Sequence, residues 1–119
     1  MIQITAHMHI VAAVEPVDFR KGIDALAAVC RKQLQSDPFC GTVFVFVNKS
    51  KKALRLLIYD GQGFWLCHKR LSRGRFIWNF NGKIRKLAAQ QLQVLLWNND
   101  PGKITADNFR PLAKTFLQT

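Results

Sequence analysis

The chain is short of acidic residues, and this shortage limits the chemistry it can perform. Only 7 Asp and Glu stand against 18 Lys and Arg in 119 residues, giving a net charge of +11. A nuclease or strand-transfer centre needs clustered carboxylates to hold two metal ions. Asp18 suits a helix cap, Asp24 a helix surface and Asp60 a turn, so none of them suggests such a cluster. No residue is marked out as the base for a serine or cysteine nucleophile either. We therefore expect a protein that is not an enzyme and has no catalytic residues.

Cysteines are also few, and their spacing is uninformative. The three, Cys30, Cys40 and Cys67, are an odd number without a CxxC pair, which argues against a disulfide framework or a zinc ribbon. His7, His9 and His68 add possible donors, but nothing in their spacing specifies a tetrahedral site. We expect reduced, partly buried thiols, no metal and no cofactor.

Long apolar runs are absent as well. No stretch approaches the roughly 20 residues of a membrane helix, and the start lacks a basic segment followed by an apolar one. These features predict a cytoplasmic protein with no membrane partner. Hydrophobic residues still make up 49% of the chain, enough for a globular core. We expect residues 1–100 to form a single α+β domain and residues 101–119 a C-terminal helical extension.

The positive charge is concentrated in one third of the sequence. Eleven basic residues lie between Lys49 and Lys86, with Asp60 as the one acid among them, so this segment carries +10 of the +11. A block of this kind makes a local positive field whose natural counterpart is a polyanion. The alternative is a solvated basic face that serves solubility.

Hydrophobic periodicity predicts the elements. The pattern indicates a strand over 9–14, a helix over 22–34, strands over 42–47, 54–59 and 64–71, a short strand over 75–78, a helix over 84–97 and a last helix from Thr105. This order favours an α+β fold in which an antiparallel β-meander packs against an N-terminal helix and C-terminal helices.

One hairpin can be predicted in register, because residues 60–63 supply its turn. If Tyr59 pairs with Phe64, Arg55 falls opposite His68 and Leu57 opposite Leu66. The other face then carries an apolar set expected to pack on the helix: Leu54, Leu56, Ile58, Trp65 and Cys67.

The turn that follows this hairpin is rich in cations that could contact phosphates. Nearby aromatic residues either stack on unpaired bases or build the core; these are Phe64, Trp65, Phe76, Trp78 and Phe80. The predicted nucleic-acid-binding set comprises the hairpin, a patch at the first helix and the preceding turn and strand: Lys69, Arg70, Arg73, Arg75, Arg20, Lys21, Lys51, Lys52 and Arg55.

Several segments resemble the TnpB family. Its members are small accessory proteins of insertion-sequence-66-type transposable elements, encoded by the second open reading frame. The matching segments are Asp-Phe-Arg-Lys-Gly-Ile-Asp-Ala-Leu at 18–26, residues 37–41 and 43–46, Tyr-Asp-Gly-Gln-Gly-Phe at 59–64 continuing to 71, residues 73–78, and Leu87 with residues 91–92 and 95–96. Ala88 stands where the family has a Thr or Ser helix cap, and residues 103–119 lie outside the pattern. The resemblance implies a protein that assists transposition alongside a separate transposase, and it supplies no reaction of its own.

Two functional hypotheses follow from different classes. The first is a non-catalytic accessory protein that assists DNA transposition by binding DNA through its basic hairpin. The alternative is an adaptor that binds the transposase without direct DNA contact, docking through the strand at 42–47 or the aromatic cluster.

Overall fold

The computed structural model of the chain describes residues 8–20 and 22–97. Within them lie five strands and two helices. In chain order they are β1 (Ile10–Ala13), α1 (Ile23–Lys32), β2 (Val43–Val47), β3 (Ala53–Tyr59), β4 (Phe64–Arg70), β5 (Ile84–Leu87) and α2 (Ala89–Leu96). The predicted helix from Thr105 and the extension at 101–119 lie outside the described residues.

The strands form one mixed sheet in the order β4-β3-β2-β1-β5. Strands β2, β3 and β4 make an antiparallel meander, as predicted. β1 pairs parallel to β2, which requires a crossover, and α1 lies in that connection. β5 then pairs antiparallel to the other side of β1. The fold is consistent with the α+β class, but the sheet is not purely antiparallel as expected.

The register of the β3–β4 hairpin agrees with the prediction. Tyr59 pairs with Phe64, and Arg55 lies opposite His68. The Asp60 carboxylate accepts hydrogen bonds from the backbone N–H groups of Gln62 and Gly63 at 2.9 and 3.0 Å. Gly61 has a φ of +97°, which a residue with a side chain rarely adopts. Turn chemistry therefore determines the register here.

Each face of the sheet carries its own core, and the assignment of faces differs from the prediction. α1 packs through Leu26, Ala27 and Cys30 on the face that holds Phe44 and Leu57. The opposite face, expected to meet this helix, is covered instead by α2 and the segment before β5. The buried strand residues there include Leu54, Leu56 and Ile58, beneath Leu92 and Leu95.

Residues 75–78 are not a strand, contrary to the prediction. β4 and β5 lie at opposite edges of the sheet, so the chain between them has to cross one of its faces. Phe76 is buried during this crossing, with 3% of its surface exposed, while Trp78 and Phe80 pack partly buried beside it. The Trp78 indole N–H donates to the carbonyl of Val14 at 2.8 Å. Residues 75–78 thus have a composition typical of a strand, but they cover one face of the sheet with apolar side chains.

The helix predicted to begin at Ile84 begins five residues later. Residues 84–87 pair with all of β1 instead, because the open edge of β1 offers backbone partners that a helix would leave unused. Ala88 is the extended residue at the start of α2, and its side chain makes no cap. The Gln91 side-chain oxygen accepts from the backbone N–H of Ala88 at 2.8 Å, which supports this end of the helix.

Neither α1 nor α2 is long enough and apolar enough to cross a lipid bilayer. The statement covers the part of the chain that the structure describes.

Candidate nucleic-acid interface

Strand direction brings the basic loops to one end of the sheet. β1 and β2 end there, and β3 and β5 begin there, as their pairings require. The end of β4 is at the same position, since Arg70 pairs with Ala53 at the start of β3. We call this region the basic end and define it by seven cations: Lys49, Lys51, Lys52, Arg70, Arg73, Arg75 and Lys83.

Backbone hydrogen bonds join the two most basic loops of this end. The N–H of Leu71 donates to the carbonyl of Lys52 at 2.9 Å, and the N–H of Phe76 donates to the carbonyl of Lys51 at 2.7 Å. The loop between β2 and β3 therefore lies directly beside the chain that leaves β4. Cations more than twenty positions apart in sequence, such as Lys51 and Arg75, become neighbours in space.

The side chain of Asn48 organises the β2–β3 loop. Its Oδ1 accepts from the N–H groups of Lys52 and Ala53 at 3.0 and 3.2 Å. Lys51 adopts a left-handed conformation with a φ of +60°. These constraints turn the lysines outward, where Lys49 and Lys52 are exposed.

Lys49 and Lys83 belong to the basic end although they were not in the predicted set. Lys83 is placed by the bond from the Val14 N–H to its carbonyl, 3.0 Å, just before β5. The position of Lys83 could not be predicted from the sequence, because the pattern of residues 84–87 indicated a helix and not a strand beside β1. Lys49 could have been included, since it lies in the same turn as Lys51 and Lys52.

Arg55 forms a packed group with an aromatic ring and a histidine. Its Nε donates to His68 Nδ1 at 3.0 Å, and its guanidinium carbon lies 4.7 Å from the centre of the Phe19 ring. Phe19 and His68 meet edge to face, with ring centres 6.0 Å apart. Burial, followed by the charges of Arg55 and Arg70, holds the pKa of His68 below its usual value. The imidazole is thus kept neutral, and its Nδ1 accepts a hydrogen bond.

Two members of the predicted set, Lys69 and Arg20, are placed differently from the rest. The Lys69 ammonium donates to the carbonyl of Leu96, so it supports the C-terminal end of α2 on the face away from α1. Arg20 forms a bidentate pair with Asp18, with contacts of 2.8 to 3.1 Å. The hydrogen bond and charge of Asp18 raise the pKa of Arg20, so the positive charge persists but is compensated locally. Lys21 lies outside the described residues.

An open cleft of about 530 Å³ lies between the β1–α1 loop and the β2–β3 loop. Its lining comprises Val17, Asp18, Phe19 and Arg20 from the first loop and Asn48, Lys49 and Ser50 from the second. The N–H of Val17 donates to the carbonyl of Val47 at 2.9 Å, which ties the two walls together at their base. The basic end is therefore concave at this point, and the aromatic residue Phe19 is part of the lining.

The opposite end of the sheet is aromatic. Phe39 contacts Tyr59 and Phe64 with ring centres 4.9 and 5.3 Å apart. The indole of Trp65 donates to the Asp60 carboxylate at 2.7 Å, while 54% of its surface remains exposed. Hydrogen bonds from the turn backbone and then from Trp65 lower the pKa of Asp60, so this carboxylate serves the turn.

The possible metal donors do not converge among the residues that the structure describes. Those residues contain no group of three or more His, Cys, Asp or Glu side chains able to hold an ion. Burial raises the pKa of the Cys30 thiol to about 12, so this cysteine is unreactive as a thiolate. Cys40 is exposed and its Sγ donates to the Thr42 hydroxyl at 3.1 Å.

Comparison with known proteins gives one family and two relatives. The family described as IS66 Orf2-like protein matches residues 8–105. Uncharacterized protein y4jC of Sinorhizobium fredii (strain NBRC 101917 / NGR234) is 42% identical over 77 residues, 65% of this chain and 66% of that protein. Uncharacterized protein y4hO of the same strain is 39% identical over 80 residues, 66% of this chain and 70% of that protein. The chain thus aligns with about two thirds of the length of each relative. No solved structure matches the chain.

Proposed function

Because the chain belongs to the IS66 Orf2-like family, whose members are accessory proteins of transposable elements, we propose that it assists transposition by binding DNA through its basic end. In this proposal the protein performs no catalytic step, and phosphate contacts position it on the nucleic acid. The contacts come from the loops at 48–52 and 70–75 together with Lys83.

The observation that carries the proposal is the convergence of separate basic loops on one surface. Lys51 and Lys52 share backbone hydrogen bonds with the segment that bears Arg73 and Arg75. Arginine and lysine side chains grouped in this way provide a field that attracts a polyanion, and arginine can fork onto two phosphate oxygens. A face kept only for solubility would not require cations distant in sequence to meet.

A second aspect of the geometry supports DNA over a small anion as the ligand. The basic end extends across the sheet from β4 to β5, so its cations are spread over several strands. Neighbouring strands lie about 4.8 Å apart, which gives a span of about 20 Å. Phosphates along DNA repeat over such a distance, whereas a single anion would touch only one part of the surface.

A salt titration of DNA binding tests the proposal. If about five phosphates are neutralised, the logarithm of affinity should fall against the logarithm of salt concentration with a slope of about −4 to −5 for duplex DNA and about −3.5 for a single strand. Fluorescence anisotropy with labelled duplex and single-stranded oligonucleotides measures this slope. Slopes near zero for both DNA forms would refute DNA binding through the basic end.

The aromatic end favours a second function, that of an adaptor for the transposase of the same element. Phe39 and Trp65 are 50% and 54% exposed, and large apolar groups of this kind are frequent in protein interfaces. The strand at 42–47 cannot be the docking surface as first expected, because Val43–Val47 is buried throughout at the centre of the sheet. Co-purification with the transposase that survives nuclease and high salt, and is lost in Trp65→Ala, would support the adaptor function.

A further inference from the structure

The cleft at the basic end has properties that phosphate binding alone does not use. It is concave, Phe19 is among its lining residues, and the ring of Phe19 is contacted by Arg55 and His68. We propose that this cleft binds an unpaired nucleobase of single-stranded DNA, which stacks on Phe19. The inference rests on the proposed DNA binding and names the form of DNA that the surface prefers.

The ring of Phe19 is packed against Arg55, His68 and the core beneath α1. The guanidinium of Arg55 lies over the ring at 4.7 Å, and His68 meets it edge to face. Arg55 is itself fixed by its hydrogen bond to His68, and these two residues are paired across β3 and β4. A ring ordered before binding loses little conformational freedom when a base stacks on it, which favours affinity.

The polar lining of the cleft suits a base edge without selecting one base. Asn48 uses its Oδ1 within its own loop, which leaves the Nδ2 hydrogens as donors, and the Ser50 hydroxyl can donate or accept. Lys49 lies on the rim, where it can contact the phosphate of the bound nucleotide. Asp18 is occupied by Arg20, so its carboxylate does not present an uncompensated negative charge to the strand.

Duplex DNA cannot fill this cleft in the same way. A paired base is stacked within the helix, and its extrusion costs a few kcal/mol, whereas a single strand offers its bases without this cost. Stacking on an aromatic ring tolerates every base because each has a π-face. The surface should therefore prefer single strands over duplex and show little sequence preference.

The experiment compares two single strands of equal charge with a duplex. Oligo(dT) of about 12 nucleotides, an abasic strand with the same number of phosphates and a matched duplex are titrated with the protein at one salt concentration. The wild type should bind oligo(dT) about tenfold more tightly than the abasic strand, a difference of ~1.4 kcal/mol. Phe19→Leu should remove this difference while retaining affinity for the abasic strand, and Phe19→Tyr should keep the difference because it keeps the ring.

The outcomes separate this inference from the proposed function. The base site would be overturned if the wild type bound oligo(dT) and the abasic strand equally. It would also be overturned if Phe19→Leu still bound oligo(dT) more tightly than the abasic strand. Either result would leave phosphate binding intact. Absence of binding to all three ligands would overturn the proposed function itself.

A measurement on the unaltered protein guards against a folding defect in the variants. Oligo(dT) carrying 5-iododeoxyuridine is crosslinked by light, and the modified peptide is identified by mass spectrometry. Crosslinks at Phe19 would support the base site. Crosslinks confined to Trp65 or to the segment 76–80 would overturn it.

Discussion

The double substitution Arg73→Ala and Arg75→Ala tests the basic end most directly. Both side chains are exposed and flank Gly74, whose φ of +73° suits the turn. Neither arginine contributes to the two cores, so their removal should leave the fold unchanged. The change therefore removes phosphate contacts while preserving the loop that carries them.

The expected magnitude follows from counterion release. Each phosphate contact to duplex DNA contributes about −0.9 to the slope of log affinity against log salt. About five contacts predict a wild-type affinity loss of about 500-fold between roughly 50 and 200 mM salt, whereas about three contacts predict a loss of about 40-fold. The double variant should thus show a shallower slope by about 1.8 and weaker binding to every sequence.

The matched control is Arg31→Ala with Lys32→Ala. This pair has the same charge and lies in the last turn of α1, at the far end of the sheet from the basic end. Anisotropy titrations at several salt concentrations should give the control the wild-type slope. A slope unchanged by loss of Arg73 and Arg75, or equally reduced in the control, would refute a localised interface and favour diffuse attraction by net charge.

Three further predictions concern stability. Phe44→Ala, at a position buried beneath α1, should lower the free energy of unfolding by about 3–5 kcal/mol in urea titrations; a loss below about 1 kcal/mol would contradict the assignment of the core. Lys69→Met should cost about 0.3–1 kcal/mol through the end of α2 yet keep the salt slope of DNA binding; a reduced slope would instead place this lysine in the interface. The pKa of His68 is lowered in the folded protein, so in mild acid the unfolded chain binds more protons than the folded one. The contribution of His68 to stability is therefore complete above the unfolded pKa of about 6.5, and it is lost as the pH falls through the folded pKa. His68→Gln should flatten this pH dependence in thermal melts, and an unchanged profile would assign the effect to other groups.

The sequence predicted most accurately the elements that depend on interactions between residues close together in the chain. The β3–β4 register followed from a turn that Asp60 and Gly61 define, and α1 followed from apolar residues at helical spacing. The sequence failed where a distant partner decides the outcome. Ile84 and Leu87 fit a helical pattern, but β1 supplies hydrogen-bond partners that make this segment a strand. The helix start at Ala89 was therefore not predicted, and Ala88, which departs from the family's Thr or Ser cap, precedes it in an extended conformation.

The candidate site was foreseeable in part. A run of cations around Arg73 is visible in the sequence, and the β4 turn places it at a sheet end. The cleft was not foreseeable, because its walls come from loops about thirty residues apart that meet through the Val17–Val47 hydrogen bond. The contact of Lys69 with the Leu96 carbonyl likewise depends on where α2 ends.

The two edges of the sheet also affect how copies of the protein behave beside one another. β4 ends in Lys69 and Arg70, and β5 contains Arg85 and Lys86, so each edge strand bears two positively charged side chains. Edge strands expose unpaired backbone groups that promote aggregation, and charged side chains oppose such pairing. Proteins gathered at high local density along a DNA molecule would therefore repel each other edge to edge. The same charge that draws the chain to a polyanion helps to keep it from forming intermolecular sheets.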